Sequence, residues 1–242
     1  MSQNEELVTE IVYSPSSQWF RYLIVQVGAR LSAGILDKLD SIINSLTVGN
    51  WLRSRRLKPV EWASGRPDLF RRLAALKNLD SKEVLYLEFG VYKGASIRFW
   101  SELLKNKESR LFGFDTFEGL PEGWKVNIPE GTFSTGGMIP ELTDRRIQFV
   151  KGRFKDTLAK FKVPDHKFLV INIDSDLYSS AWEVFSALDS DIRPGTIIYF
   201  DDISDRQNEM RAFEESMIKS SGKFKLLVAD RCCYHMAFEK MG

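Results

Sequence analysis

Residues 84–94 read Val84-Leu85-Tyr86-Leu87-Glu88-Phe89-Gly90-Val91-Tyr92-Lys93-Gly94, and an amphipathic helical pattern starts at Ala95. A nearly continuous apolar run predicts a strand buried on both faces, as in a parallel sheet covered by helices. The two glycines, four residues apart, let the chain turn sharply and come close to a ligand. The three-glycine dinucleotide fingerprint is absent, which speaks against NAD. Glu88 would repel a pyrophosphate and suits a cationic ligand better.

Further runs follow at Leu111–Phe114, Ile147–Val150, Phe168–Ile173 and Thr196–Phe200. The stretches Ala95–Leu104, Ser179–Leu188 and Asn208–Lys219 supply helical crossovers, so the fold class is α/β with repeated βαβ units. Phe224–Ala229 and Cys233–Phe238 are predicted as a terminal antiparallel pair around a short turn at Asp230-Arg231. Between the second and third runs, Thr116 to Arg146 holds five glycines and three prolines with few periodic apolar residues. Loops longer than about 15 residues are uncommon in compact domains, and this one is read as a lid over residues 116–146 rather than a disordered excursion.

Upstream, residues 1–80 show no convincing strand and are read as a helical appendage to a main domain at 81–242. Ile24, Val27, Leu31, Ile35, Leu39, Ile42 and Leu46 recur at steps of three and four, which puts them on one helix face. That stripe is expected to pack on the main domain or a sister subunit, in a homo-oligomer. Asp68 is placed to cap a helix through Leu69, Leu73 and Leu76.

Composition narrows the partners. Apolar residues make up 43% and charged residues 28% of 242, which excludes collagen-like and low-complexity chains. Lys and Arg number 34 against 33 Asp and Glu, so no basic field exists to draw nucleic acid. The only cysteines, Cys232 and Cys233, are adjacent and suit neither a disulfide framework nor a zinc site. Met1 to Glu10 is polar and acidic, unlike a signal peptide, and the apolar stretch Leu23 to Ala29 is too short to span a bilayer. A cytoplasmic protein without a transmembrane segment is expected.

In an open parallel sheet, ligands sit beyond the carboxyl ends of the strands, so the residues after each run matter most. The second run ends at Asp115, twenty-seven residues after Glu88. A carboxylate there can accept both hydroxyls of a ribose, with a capping or turn role as the alternative. A nucleoside with a positive centre fits both features, and S-adenosylmethionine is the obvious candidate. The fourth run ends Ile173-Asp174-Ser175-Asp176 and the fifth Phe200-Asp201-Asp202. Carboxylates at neighbouring strand ends repel one another unless a cation neutralises them. Oxygen ligands without a nearby His or Cys suit Mg²⁺, with Asp174, Asp201 and Asp202 as its ligands and helix capping as the alternative.

These motifs resemble the macrocin O-methyltransferase family of class I S-adenosylmethionine-dependent methyltransferases. The similarity runs through Glu88–Gly94, Asp115-Thr-Phe-Glu-Gly-Leu-Pro121, Gly152-Arg-Phe-Lys-Asp-Thr-Leu158, Asp174-Ser-Asp-Leu-Tyr178, and Pro194-Gly195 before Asp201-Asp202. It implies a Rossmann-like fold with a mostly parallel seven-stranded sheet and an antiparallel terminal strand. The implied activity is methylation of a hydroxyl on a small-molecule acceptor, a sugar or glycosylated natural product, using S-adenosylmethionine and Mg²⁺. By position, the resemblance sets Glu88, Gly90 and Gly94 around the methionine part of the cofactor and Asp115 at its ribose. Gly152, Arg153 and Phe154 would lie at the adenine. Asp174, Asp201 and Asp202 match metal ligands, and Asp176 matches a general base. His166 precedes the fourth strand at the wrong edge, and His235 is expected inside the last strand. The rival readings are a methyltransferase of catechols or other phenols, an inactive binding protein, and a phosphate-ester hydrolase.

Overall fold

A computed structural model describes residues 15–125, 127–220 and 222–242. The acidic stretch from Met1 to Glu10 lies outside them. The chain divides into two compact units, 1–43 and 44–242.

In the first unit, α1 (Pro15–Gly28) ends and the chain turns before α2 (Ala33–Ser54) begins. The expected single stripe is therefore split between two helices. Gly28 closes α1, and the Ser32 carbonyl accepts the N–H groups of Ile35 and Leu36 to start α2. Ile24, Val27, Ile35, Leu39 and Ile42 are exposed in the single chain.

The second unit holds an eight-stranded sheet. Its strands are β1 (Glu61–Ala63), β2 (Val84–Phe89), β3 (Arg110–Asp115), β4 (Ile147–Lys151), β5 (Phe168–Ile173), β6 (Ile197–Phe200), β7 (Phe224–Asp230) and β8 (Met236–Lys240). They lie in the order β1-β7-β8-β6-β5-β2-β3-β4. Only β8 runs antiparallel, inserted between β6 and β7. Every residue of the central strand β2 is buried, which explains its uninterrupted apolar run.

Helices cover both faces. On one, α3 (Arg66–Lys77) and α4 (Ala95–Leu103) bring Leu69, Phe70, Leu73, Ile97 and Trp100 onto Tyr86, Val170 and Tyr199. On the other, α6 (Tyr178–Leu188) and α7 (Glu209–Ser220) bring Ala181, Val184, Phe185 and Phe213 onto Leu87, Phe89, Ile171 and Phe200. The end of α2 joins that second face. Val48 and Trp51 are buried there, with the Trp51 ring 6.5 Å from that of Phe213 and 6.1 Å from that of Phe238.

Two expectations need correction. The boundary between the units falls at residues 43 and 44 and not near 80, because α3 and the end of α2 bury apolar faces on the sheet. The sheet has eight strands and not seven, because Glu61–Ala63 pairs in parallel with the edge strand β7. Three residues are too few for a period-2 pattern to show in sequence. No helix among the described residues is long and apolar enough to cross a membrane.

Candidate active site

The parallel ladder runs one residue past the strands, and this aligns the residues that follow them. Gly90 N–H donates to Phe114 O at 3.0 Å, and Gly152 N–H to Asp115 O at 3.0 Å. Asp174 N–H donates to Phe89 O at 2.9 Å, and Asp201 N–H to Ile173 O at 2.9 Å. Gly90, Asp115, Gly152, Asp174 and Asp201 thus share one edge of the sheet.

A cavity of about 680 Å³ opens above that edge. Its walls include Gly90, Tyr92, Asp115, Arg153 and Phe154 on one side and Asp174, Asp176, Asp201 and Asp202 on the other. Gly90 permits this closeness: its φ is +96°, and a Cβ there would lie 1.7 Å from the Asp174 carbonyl oxygen. Gly94 and Gly152 shape the loops behind the wall rather than line it. A Cβ on Gly94 would press on Pro140 of the 116–146 segment at 3.2 Å.

Asp115 is held in a fixed orientation. Its Oδ2 accepts Val91 and Tyr92 N–H at 2.8 Å each, and its Oδ1 accepts Phe117 N–H at 2.7 Å. The turn-fixing role and the cavity position therefore coexist in one carboxylate.

Glu88 does not line the cavity. It is fully buried, and its Oε2 accepts Tyr86 OH at 2.5 Å and Asn172 Nδ2–H at 3.1 Å. Side chains alternate along a strand, so Glu88 shares a face with Tyr86 and pairs across to Asn172 on β5. Burial pushes its carboxyl up to about 8, so it is neutral at pH 7.

The carboxylates cluster as the sequence suggested. Asp174 is raised well above the usual range by burial, then by repulsion from Asp201 and Asp176. Asp176 sits at φ +61° and is pushed up to about 7 by burial, then by Asp202 and Asp201. Burial also raises Asp202, whose Oδ1 accepts Ser204 OH at 2.6 Å. From the first turn of α7, Glu209 Oε1 accepts Ser175 and Asp176 N–H at 3.0 and 3.2 Å.

As an Mg²⁺ site, the donor chemistry fits. The donors are carboxylate oxygens in excess of the cations beside them, and Ser175 Oγ and Glu209 Oε2 are buried without hydrogen-bond partners in the same region. The side chains as they stand are not gathered around an ion. Among the described residues, no three Asp, Glu, His or Cys side chains converge closely enough to hold one. Asp201 Oδ1 instead accepts Tyr199 OH at 2.7 Å and Arg66 Nη1–H at 2.9 Å.

Backbone hydrogen bonds tie together the described residues of the 116–146 segment. Leu120 N–H donates to Thr132 O, Gly131 N–H to Leu120 O, and Gly137 N–H to Phe117 O. It covers the acidic side: Trp124 Nε1–H donates to Asp205 at 3.0 Å, Lys125 Nζ lies 3.7 Å from Asp202, and Ser179 OH donates to Glu122 at 2.6 Å.

Sequence reading missed two cavity residues. Arg66 opens α3, within the stretch assigned to the appendage. A cation at a helix N-terminus opposes the macrodipole, and that mismatch was the available signal. His235 lies in the turn before β8 and not inside the strand. Its Nδ1 is 2.9 Å from Asp230 Oδ2 and its Nε2 3.4 Å from Asp201 Oδ1. His166 stays before β5, hydrogen-bonded to Pro164 O, away from the cavity.

Comparison with known proteins bears on the segment that carries these strand ends. Residues 87–203 match a methyltransferase domain. The match spans the β2 turn and the four carboxylates beyond β5 and β6, while Arg66 and His235 fall outside it. A curated relative, demethyldecarbamoylnovobiocin O-methyltransferase of Streptomyces niveus, is 24% identical over 136 residues, 48% of this chain. The chain spans about half the length of that relative, 51%. Among solved structures, the calicheamicin methyltransferase CalS11 superposes with a TM-score of 0.55 at 17% identity, covering 99% of this chain and 98% of its own. The O-methyltransferase NovP superposes at 0.51 and 18% identity, covering 73% and 78%. The sheet-bearing unit therefore has the Rossmann-like fold of these structures.

Proposed function

We propose that the protein is an S-adenosylmethionine-dependent O-methyltransferase of the macrocin type. In this reading it methylates a hydroxyl of a sugar or glycosylated natural product. The observation that carries the reading is one cavity shared by two sets of residues: the β2–β4 turns suited to a cationic nucleoside, and the four carboxylates beyond β5 and β6. The relatives are named for demethyldecarbamoylnovobiocin and calicheamicin, which favours an elaborate small-molecule acceptor.

S-adenosylmethionine supplies an activated methyl group when bound. Gly90, Tyr92, Asp115, Arg153 and Phe154 would hold it, with Gly94 and Gly152 shaping their loops. Mg²⁺ held by Asp174, Asp201 and Asp202 would supply Lewis-acid stabilisation of an acceptor oxygen. The remaining work falls to the chain. Asp176, half-buried and raised to about 7, is suited to take the hydroxyl proton near neutral pH. The 116–146 segment, with Leu120, Trp124 and Phe133 on the cavity wall, excludes water and shapes the acceptor pocket. A second candidate base is His235, because Asp230 holds its Nδ1 and leaves Nε2 facing the cavity. The reading also expects a cytoplasmic homo-oligomer, tested by light scattering.

Calorimetry with S-adenosylmethionine, with and without Mg²⁺, tests the cofactor assignment. Turnover on nucleotide-linked sugars, glycosylated aromatics and catechols tests the acceptor class. Absence of S-adenosylmethionine binding overturns the reading, and turnover confined to catechols moves it to the phenolic class.

A further inference from the structure

Arg66 contacts two of the carboxylates assigned to the metal. Its Nη1 lies 2.9 Å from Asp201 Oδ1 and 3.3 Å from Asp174 Oδ2. Nothing in the local sequence favours a cation there. Gly65 precedes it, Pro67 follows, and the positive end of α3 opposes it. The helix dipole is served by Asp68, which accepts Ser64 N–H at 2.9 Å and Arg72 Nε–H at 3.0 Å. Arg66 turns away from that network into the cavity wall.

We propose that Arg66 is the built-in counter-cation of the Asp174–Asp201 pair and competes with the metal for it. The proposal rests on the Mg²⁺ reading above. Mg²⁺ would draw on the same two carboxylates, whose Asp201 Oδ1 and Asp174 Oδ2 already face the guanidinium, and two cations drawn to one carboxylate pair repel each other. Metal entry would therefore weaken the guanidinium's contacts, the longer one to Asp174 first. The charged hydrogen bonds lost in that exchange weaken metal affinity. In return, Arg66 keeps the metal-free carboxylates from repelling one another, which lets the site fold before it is loaded. Arg66 is thus a positioning residue that sets metal affinity from outside the matched domain.

The test compares wild type, Arg66→Gln and Arg66→Lys by calorimetric titration with Mg²⁺ alone, and by thermal unfolding in chelator and in saturating Mg²⁺. Arg66→Gln should bind Mg²⁺ roughly 10- to 100-fold more tightly, the equivalent of one or two charged hydrogen bonds no longer broken. Arg66→Lys, which keeps the charge, should stay near wild type. In chelator the Gln variant should unfold at lower temperature or fail to fold, and Mg²⁺ should restore it to the wild-type value. Equal or weaker Mg²⁺ binding by Arg66→Gln, or instability that Mg²⁺ does not repair, overturns the role of Arg66 and leaves the metal reading standing. Absence of Mg²⁺ binding by all three proteins overturns the metal reading, and this proposal with it.

Discussion

Replacing Glu88 by glutamine removes an ionisable group from a fully buried position while keeping an acceptor for Tyr86 OH. The folded carboxyl is pushed from its ordinary 4.5 up to about 8 by burial. Between those values the unfolded chain is ionised and the folded chain is protonated. Folding then takes up a proton, and stability falls as pH rises through that window. Each pH unit is worth about 1.4 kcal/mol, so by pH 7 the group costs the fold about 3 kcal/mol. Glu88→Gln cannot ionise. Its stability relative to wild type should be near zero or slightly negative at pH 5, where the second amide donor needs a partner. It should then climb by about 1.4 kcal/mol per pH unit to a gain approaching 3 kcal/mol at pH 7. Urea titrations of both proteins at pH 5, 6, 7 and 8 measure this directly. A difference that does not change with pH would mean that Glu88 is already ionised in the fold, and the reasoning would fail. The same variant checks the placement of Glu88 away from the cavity. Its affinity for S-adenosylmethionine should match wild type, and a tenfold loss would return Glu88 to the cofactor wall.

Asp176→Asn should lower turnover roughly 10²- to 10⁴-fold with little change in metal affinity, measured at saturating Mg²⁺; full recovery at higher Mg²⁺ would make Asp176 a ligand instead. As a base Asp176 must first lose its proton, so the wild-type rate should rise with pH through about 7, and a bound divalent cation should move that limb to lower pH. Asp202→Asn should abolish Mg²⁺-dependent turnover while S-adenosylmethionine binding, read by calorimetry, stays nearly intact. Full wild-type activity in excess chelator would remove the metal from the reaction. Gly90→Ala, whose methyl would meet the Asp174 carbonyl at 1.7 Å, should destabilise the fold by about 3 kcal/mol in denaturant titration. A stable Ala variant would show that the β2 turn can move.

How much the sequence disclosed depends on whether the signal was local. The strands Val84–Phe89 and Phe168–Ile173 were legible to the residue, because burial on both faces leaves an unbroken apolar run in a single stretch of chain. The carboxylates at 174, 176, 201 and 202 were legible as a group, because strand ends in a parallel sheet share one edge whatever else surrounds them. The N-terminal stripe misled. A step of three and four continues across Gly28 and Ser32, and periodicity alone does not see the break between α1 and α2. The surroundings of Glu88 left no local signal either: its place in a motif says which strand end it precedes, and only the fold buries it with Tyr86 and Asn172.

From sequence alone came the α/β class, the order of its buried strands and the acidic edge beyond β5 and β6, all properties written in short contiguous segments. The tertiary structure alone decided which charges meet. Arg66 reaches Asp174 and Asp201 across more than a hundred residues of chain, His235 swings to the cavity from the turn before an inserted antiparallel strand, and Lys125 comes to Asp202 from a loop without regular elements. These pairings carry no periodicity and no spacing. They follow from the sheet order that brings β8 beside β6 and from the helix that seats Arg66 above the strand ends, so they exist only once the chain has closed on itself.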